Sequence, residues 1–145
     1  MTTTYDPGYV TVDMIRQWMM DNDPSDNSID CDLAFTDEQI INAMQGAARS
    51  YNSLTPVGVD IVNANAMPSD TNLFINFTVA SLLNSSLQKL SRNDMQWMTG
   101  GVTVDVVAKR IAHYRLLRDE ARQMAREEAV ARKSEINRQA AWASI

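Results

Sequence analysis

Apolar residues recur at steps of three and four along much of the chain, the period of helices with one buried side. The first such stretch opens on Thr11, a helix-capping residue, and runs to about Asn22. It sets Val12, Ile15, Met19 and Met20 on one side, and Trp18 adds bulk. The second opens on Thr36, with Gln39 three residues on. That spacing is a capping box, in which each side chain closes the other's backbone N–H. This helix is expected to reach about Asn52 with Ile40, Ile41, Met44 and Ala47 or Ala48 inward. The third, capped by Ser69 or Asp70, is expected to reach about Leu90. Its face is Leu73, Phe77, Ala80, Leu83, Leu87 and Leu90, and Ser91-Arg92-Asn93-Asp94 reads as its end. Between these helices, residues 21–32 are acidic and contain Pro24, which predicts a loop. Thr55-Pro56 breaks the second helix, and Val57, Val59 and Ile61 then alternate as a short extended piece. Met95 to Val104 reads as a small hairpin around Gly100-Gly101, with Trp97 at its rim.

Residues 102–145 contain neither glycine nor proline. Thr103 caps a last helix whose expected apolar stripe is Val104, Val107, Ile111, Tyr114, Leu117, Ala121 and Met124. Beyond Met124 the pattern turns charged, yet the chain ends Ala140-Ala141-Trp142-Ala143-Ser144-Ile145. A helix of about 35 residues spans roughly 50 Å. A compact domain of this length is only about 35–40 Å across. The expected fold is therefore all-α: a small helical bundle with a short extended excursion and a long C-terminal helix that projects. Residues 1–125 are expected to form the body and 126–145 the arm.

The chain has 145 residues, 45% of them apolar, and one cysteine. These figures suit a single domain with one modest core, no disulfide framework and folding in a reducing cytoplasm. No run of 18 apolar residues suggests a membrane helix. Charge is uneven. Residues 1–103 hold four basic and twelve acidic side chains, net −8; residues 104–145 hold nine basic and six acidic, net +3. Such a split favours contacts between unlike surfaces of neighbouring copies. Net acidity argues against duplex DNA as the main ligand.

Catalytic chemistry is thin. His113 and Cys31 are each the only residue of their kind. One histidine and one cysteine cannot close a four-ligand zinc site, and Gly100-Gly101 lacks the signature of a phosphate-binding loop. Asp21, Asp23, Ser25, Asn27 and Asp32 approach a calcium-loop spacing. Asp26 stands where such a loop needs glycine, however, so a solvated acidic loop is the simpler reading. No enzyme, cofactor or metal site is expected. The nine methionines suit adaptable packing, in the core at Met14 and Met44 and at an interface at Met95 and Met98.

Three stretches carry a resemblance. They are Val12 to Arg16 with Phe35 to Ile40; Ala48 to Pro56, a helix entering a proline loop; and Arg92 to Val104, leading into the long helix with Lys133 and Asn137. Together they resemble the head-to-tail connector (adaptor) proteins of tailed bacteriophages. The resemblance implies a structural virion protein of the neck, made in the host cytoplasm. It would form a homo-oligomeric ring, commonly of twelve copies, beneath the portal protein. The ring extends the DNA channel and docks the tail or next neck protein; DNA passes without sequence-specific binding, and no membrane is involved. It places portal binding on the C-terminal arm, here at Arg126, Arg132, Lys133, Asn137, Arg138, Trp142 and Ile145. Contacts to neighbouring copies or the tail are expected at Val57, Val59, Met95, Trp97 and Met98. Two alternatives stand beside it. One is a helical scaffold or regulatory oligomer, in which the long helix pairs with itself. The other is a DNA-binding protein using the basic strip Arg115, Arg118, Arg122 and Arg126.

Overall fold

A computed structural model of the chain describes residues 10–26, 33–56, 71–97 and 104–143, without the side chains of 26, 93–97 and 104–107. They form four α-helices: α1 (Val12–Met19), α2 (Asp37–Asn52), α3 (Thr71–Trp97) and α4 (Val104–Trp142), with a 3-10 turn at Pro24–Asp26. The fold is all-α, with no strand among the described residues. No described helix is long and apolar enough to cross a membrane.

Thr11 caps α1 as expected, accepting a hydrogen bond from the Met14 N–H at 3.2 Å. The helix stops earlier than Asn22. Met20 adopts a left-handed backbone (φ 55°). The Asp21 N–H then reaches the Arg16 carbonyl at 2.9 Å, and the Met20 N–H reaches that of Gln17 at 3.3 Å. This paired closure satisfies the last carbonyls of a helix and ends it. Ile15 faces the core, whereas Met20 and Trp18 face solvent.

Arg16 ties α1 to α2. Its guanidinium donates to Asp21 at 3.0 Å, to Asp37 at 2.6 Å and to the Phe35 carbonyl at 2.9 Å. Asp21 also accepts from the N–H groups of Ala34 and Phe35. The first acid of the calcium-like spacing is therefore committed to a structural hub; Asn27 and Asp32 lie outside the described residues. Both halves of the Thr36–Gln39 capping box are formed at the start of α2. Ile40, Met44, Ala47, Ala48 and Tyr51 are buried as that helix crosses the core, and Met14 packs at the core's edge.

α3 is the centre of the molecule. Leu73 through Ala80, eight consecutive residues, are all buried, so this stretch has no solvent side. Thr78, carried inside with them, donates its hydroxyl to the Phe74 carbonyl at 2.7 Å. Further along, burial narrows to one face with Leu83 and Leu87. α3 then continues through Ser91–Asp94 to Trp97. Those four residues do not end it, and Met95–Trp97 are helical rather than part of a hairpin. None of them is glycine or proline. Each costs only a few tenths of a kcal/mol in a helix, and extending an existing helix adds a backbone hydrogen bond per residue. The rest of the expected hairpin and the extended piece from Val57 lie outside the described residues.

α4 runs back along α3, with Arg118 reaching Asn84 at 3.4 Å. It has 39 residues and passes position 126 without a break, a length of about 58 Å. Its inward side is Ile111, Ala121, Ala125, Ala129 and Lys133, all buried. Ala121, Ala125 and Ala129 let α4 lie close to the body. Leu117 and Met124, expected on the buried stripe, are exposed instead. Where alanines form the contact there is little room for bulky side chains, and Leu117 and Met124 are turned aside.

Candidate functional site

At about 100° per residue, the side chains of α4 sort into separate flanks around its alanine face. Leu117, Met124 and Trp142 fall on one flank within about 20° of each other, over about 37 Å of helix. Met124 is 59% and Trp142 is 72% exposed. Leu116, 57% exposed, points almost directly away from the body, and Val130 lies nearby. Arg122 and Arg126 occupy the opposite flank, with the half-buried Arg118 at its inner edge. An isolated exposed leucine needs no explanation, but an aligned series of large apolar groups does.

The free end of α4 adds to this surface. No described residue after Lys133 is buried. Between Ser134 and Trp142, local side-chain pairs support the helix. Glu135 accepts from Arg138 at 2.8 Å and from Gln139 at 2.8 Å. The Arg138 guanidinium, then the Gln139 amide, hold the Glu135 carboxyl below its usual range. These pairs keep the exposed turns helical and carry Trp142 at their tip.

The expected partner-binding residues divide accordingly. Asn137, Arg138 and Trp142 lie on the exposed end, and Arg126 is exposed on the basic flank. Arg132 is half-buried beside the body. Lys133 is 2% exposed and turned into the body. Its ammonium donates to the carbonyls of Leu54 at 2.6 Å and Asn52 at 3.3 Å, at the end of α2. It also sits 4.8 Å from the centre of the Tyr51 ring. The last carbonyls of a helix carry partial negative charge, and a cation there is favourable. Ile145, Met98, Val57 and Val59 lie outside the described residues, as do the side chains of Met95 and Trp97.

Sequence reasoning missed the apolar flank because it assigned Leu117 and Met124 to the core. It also missed the polar wall opposite the arginines. Ser50 and Ser53 at the end of α2, with Ser81 and Asn84 of α3, face Arg118, Arg122 and Arg126 across an open groove of about 480 Å3. The i, i+4, i+8 spacing of the arginines was legible. Their opposing residues, 34 to 76 positions earlier, carried no signal. Among the described residues, no group of three or more His, Cys, Asp or Glu is placed to hold a metal ion. No protein-family model, curated protein or solved structure matches the chain.

Proposed function

We propose that this chain is a structural assembly protein of the connector kind. In this reading it closes into a ring beneath a portal, and it presents its C-terminal helix to that portal and its body to the tail side. One observation carries the reading: α4 turns Leu116, Leu117, Met124, Val130 and Trp142 to solvent, and none of its described residues after Lys133 is buried. A ring requires two different faces on each subunit. α4 supplies an apolar flank, a basic flank and a free end on a single element. Burying Trp142 on a partner is worth about 4–6 kcal/mol at roughly 25 cal/mol per Å2, before ordering costs.

The test is the particle mass by light scattering, for the purified protein and for the protein co-expressed with a portal. A discrete ring, alone or on the portal, is the expected result. A monomer under both conditions refutes the reading, and a dimer favours the self-pairing scaffold. Deleting residues 140–145 should leave helicity and melting unchanged while removing partner binding. Loss of the fold on that deletion would count against an arm that serves only assembly.

A further inference from the structure

The basic flank of α4 carries unspent charge. Arg118 is ion-paired with its neighbour Asp119 at 2.7 Å. Arg122 and Arg126 form no ion pair among the described residues. The three guanidiniums are spread over about 12 Å of helix. They overlook the groove, across from the hydroxyls of Ser50 and Ser53 and the amide of Asn84. Guanidinium forks beside neutral hydrogen-bonding groups suit carboxylates, which accept two N–H bonds at once.

The complementary charge is on the same chain, out of its reach. Ser50 and Ser53 belong to the C-terminal end of α2. Asp37 and Glu38 open that helix at its N-terminal end, about 24 Å away along its axis. Asp37 is held by Arg16, whereas Glu38 is exposed and makes no ion pair among the described residues. Asp23 is also exposed, on the turn that the Arg16 hub draws toward α2. Its carboxylate accepts the Ser25 N–H at 2.9 Å, which holds its pKa below the ordinary value and keeps it charged. A basic groove at one end of the body and exposed carboxylates at the other cannot meet within one molecule. They can meet between molecules arranged head to tail, the arrangement that closes a ring.

We propose that the Arg118–Arg122–Arg126 groove receives Asp23 and Glu38 of a second copy of this chain. The inference rests on the ring reading and specifies one of its contacts. Nucleic acid fits this groove less well. Three cations over 12 Å, on a chain of net charge −5, fall short of the 6–10 phosphate contacts of a strong DNA binder.

Charge exchange tests the contact, read as oligomer mass by sedimentation at low and high salt. R122E/R126E should weaken association by at least about tenfold, because like charges then face each other. The milder R122Q/R126Q should weaken it less, and circular dichroism should show both folded, since these side chains are exposed. D23K/E38K should weaken association similarly. Placing all four reversals on one chain should restore it, and wild-type association should fall as salt rises. If the wild type assembles and the reversed arginines leave its mass unchanged, the groove proposal is wrong while the ring survives. If the wild type stays monomeric at low salt and with a portal, the ring reading fails and takes this contact with it. If the arginine variants assemble normally but lose binding to a labelled single-stranded DNA, the groove belongs to nucleic acid and the proposal is overturned.

Discussion

Replacing Lys133 with alanine should be among the most damaging single changes in this protein. Lys133 lies more than 70 residues from the carbonyls of Asn52 and Leu54 that it joins, and it is the last buried side chain of α4. Two hydrogen bonds from a charged donor are worth about 1.5–3 kcal/mol each. A cation held near an aromatic face away from water adds about 2 kcal/mol, and truncating the packed stem loses about 0.8 kcal/mol per methylene. Against these stands the cost of keeping an ammonium out of water, several kcal/mol. The balance should be a loss of about 3–5 kcal/mol. Methionine retains the stem and removes the buried charge, leaving mainly the unsatisfied carbonyls, so K133M should lose only about 1–3 kcal/mol. Urea unfolding followed by helical circular dichroism measures both, as midpoint shifts at unchanged slope. If K133A falls within about 0.5 kcal/mol of wild type, the ammonium is not the clamp described here. If K133M loses as much as K133A, the packed stem of Lys133 contributes nothing, and the share assigned to it here is wrong.

Other outcomes follow from the same structure. A125L should destabilise by about 1–3 kcal/mol through overpacking of the α3–α4 contact, while M124A on the exposed flank should stay within about 0.5 kcal/mol in the same melts. G46A should stabilise α2 by about 0.5–1 kcal/mol, since an added methyl there meets no atom within 4 Å; a lower melting temperature would contradict this. R16M should cost about 3–5 kcal/mol, because it leaves the half-buried Asp21 carboxylate without its cation, and chemical unfolding would reveal a smaller role. Glu135 has a folded pKa below its ordinary value of 4.5, from Arg138 first and then Gln139. Its contribution is therefore complete above the ordinary value and lost as pH falls through the folded one. Amide protection at Asn137–Gln139, measured relative to the intrinsic exchange rate at each pH, should fall on acidification, and E135Q should remove that pH dependence.

Local signals were the legible ones. The Thr36–Gln39 box, the Thr11 cap and the absence of helix breakers in α4 act within a few residues, so the sequence displays them directly. The helical class and the length of the last helix follow from them. What stayed hidden depends on partners far along the chain. Leu117 and Met124 carry the period of a core stripe, but alanine has too little side chain to advertise a contact, and Ala125 and Ala129 proved to be the face. Lys133 and Arg16 look like surface charges until the carbonyls and carboxylates that bury them are in place. Leu73 to Ala80 shows one apolar face in sequence because Asn76 and Thr78 interrupt it. Only the surrounding helices reveal that the whole stretch is enclosed.

The alanine strip of α4 repeats every four residues, at Ala121, Ala125 and Ala129. Sliding α4 by one turn along α3, about 6 Å, would set alanine where alanine had been, so this strip by itself discriminates weakly between the two registers. Ile111 and Lys133, both buried, separate them. After such a slip the Lys133 ammonium would be buried away from the carbonyls of Asn52 and Leu54, with its charge uncompensated. A single buried polar residue fixes register in coiled coils by the same logic. The clamp therefore sets how far the free end extends beyond the body, so the reach of Trp142 is decided at the end of α2.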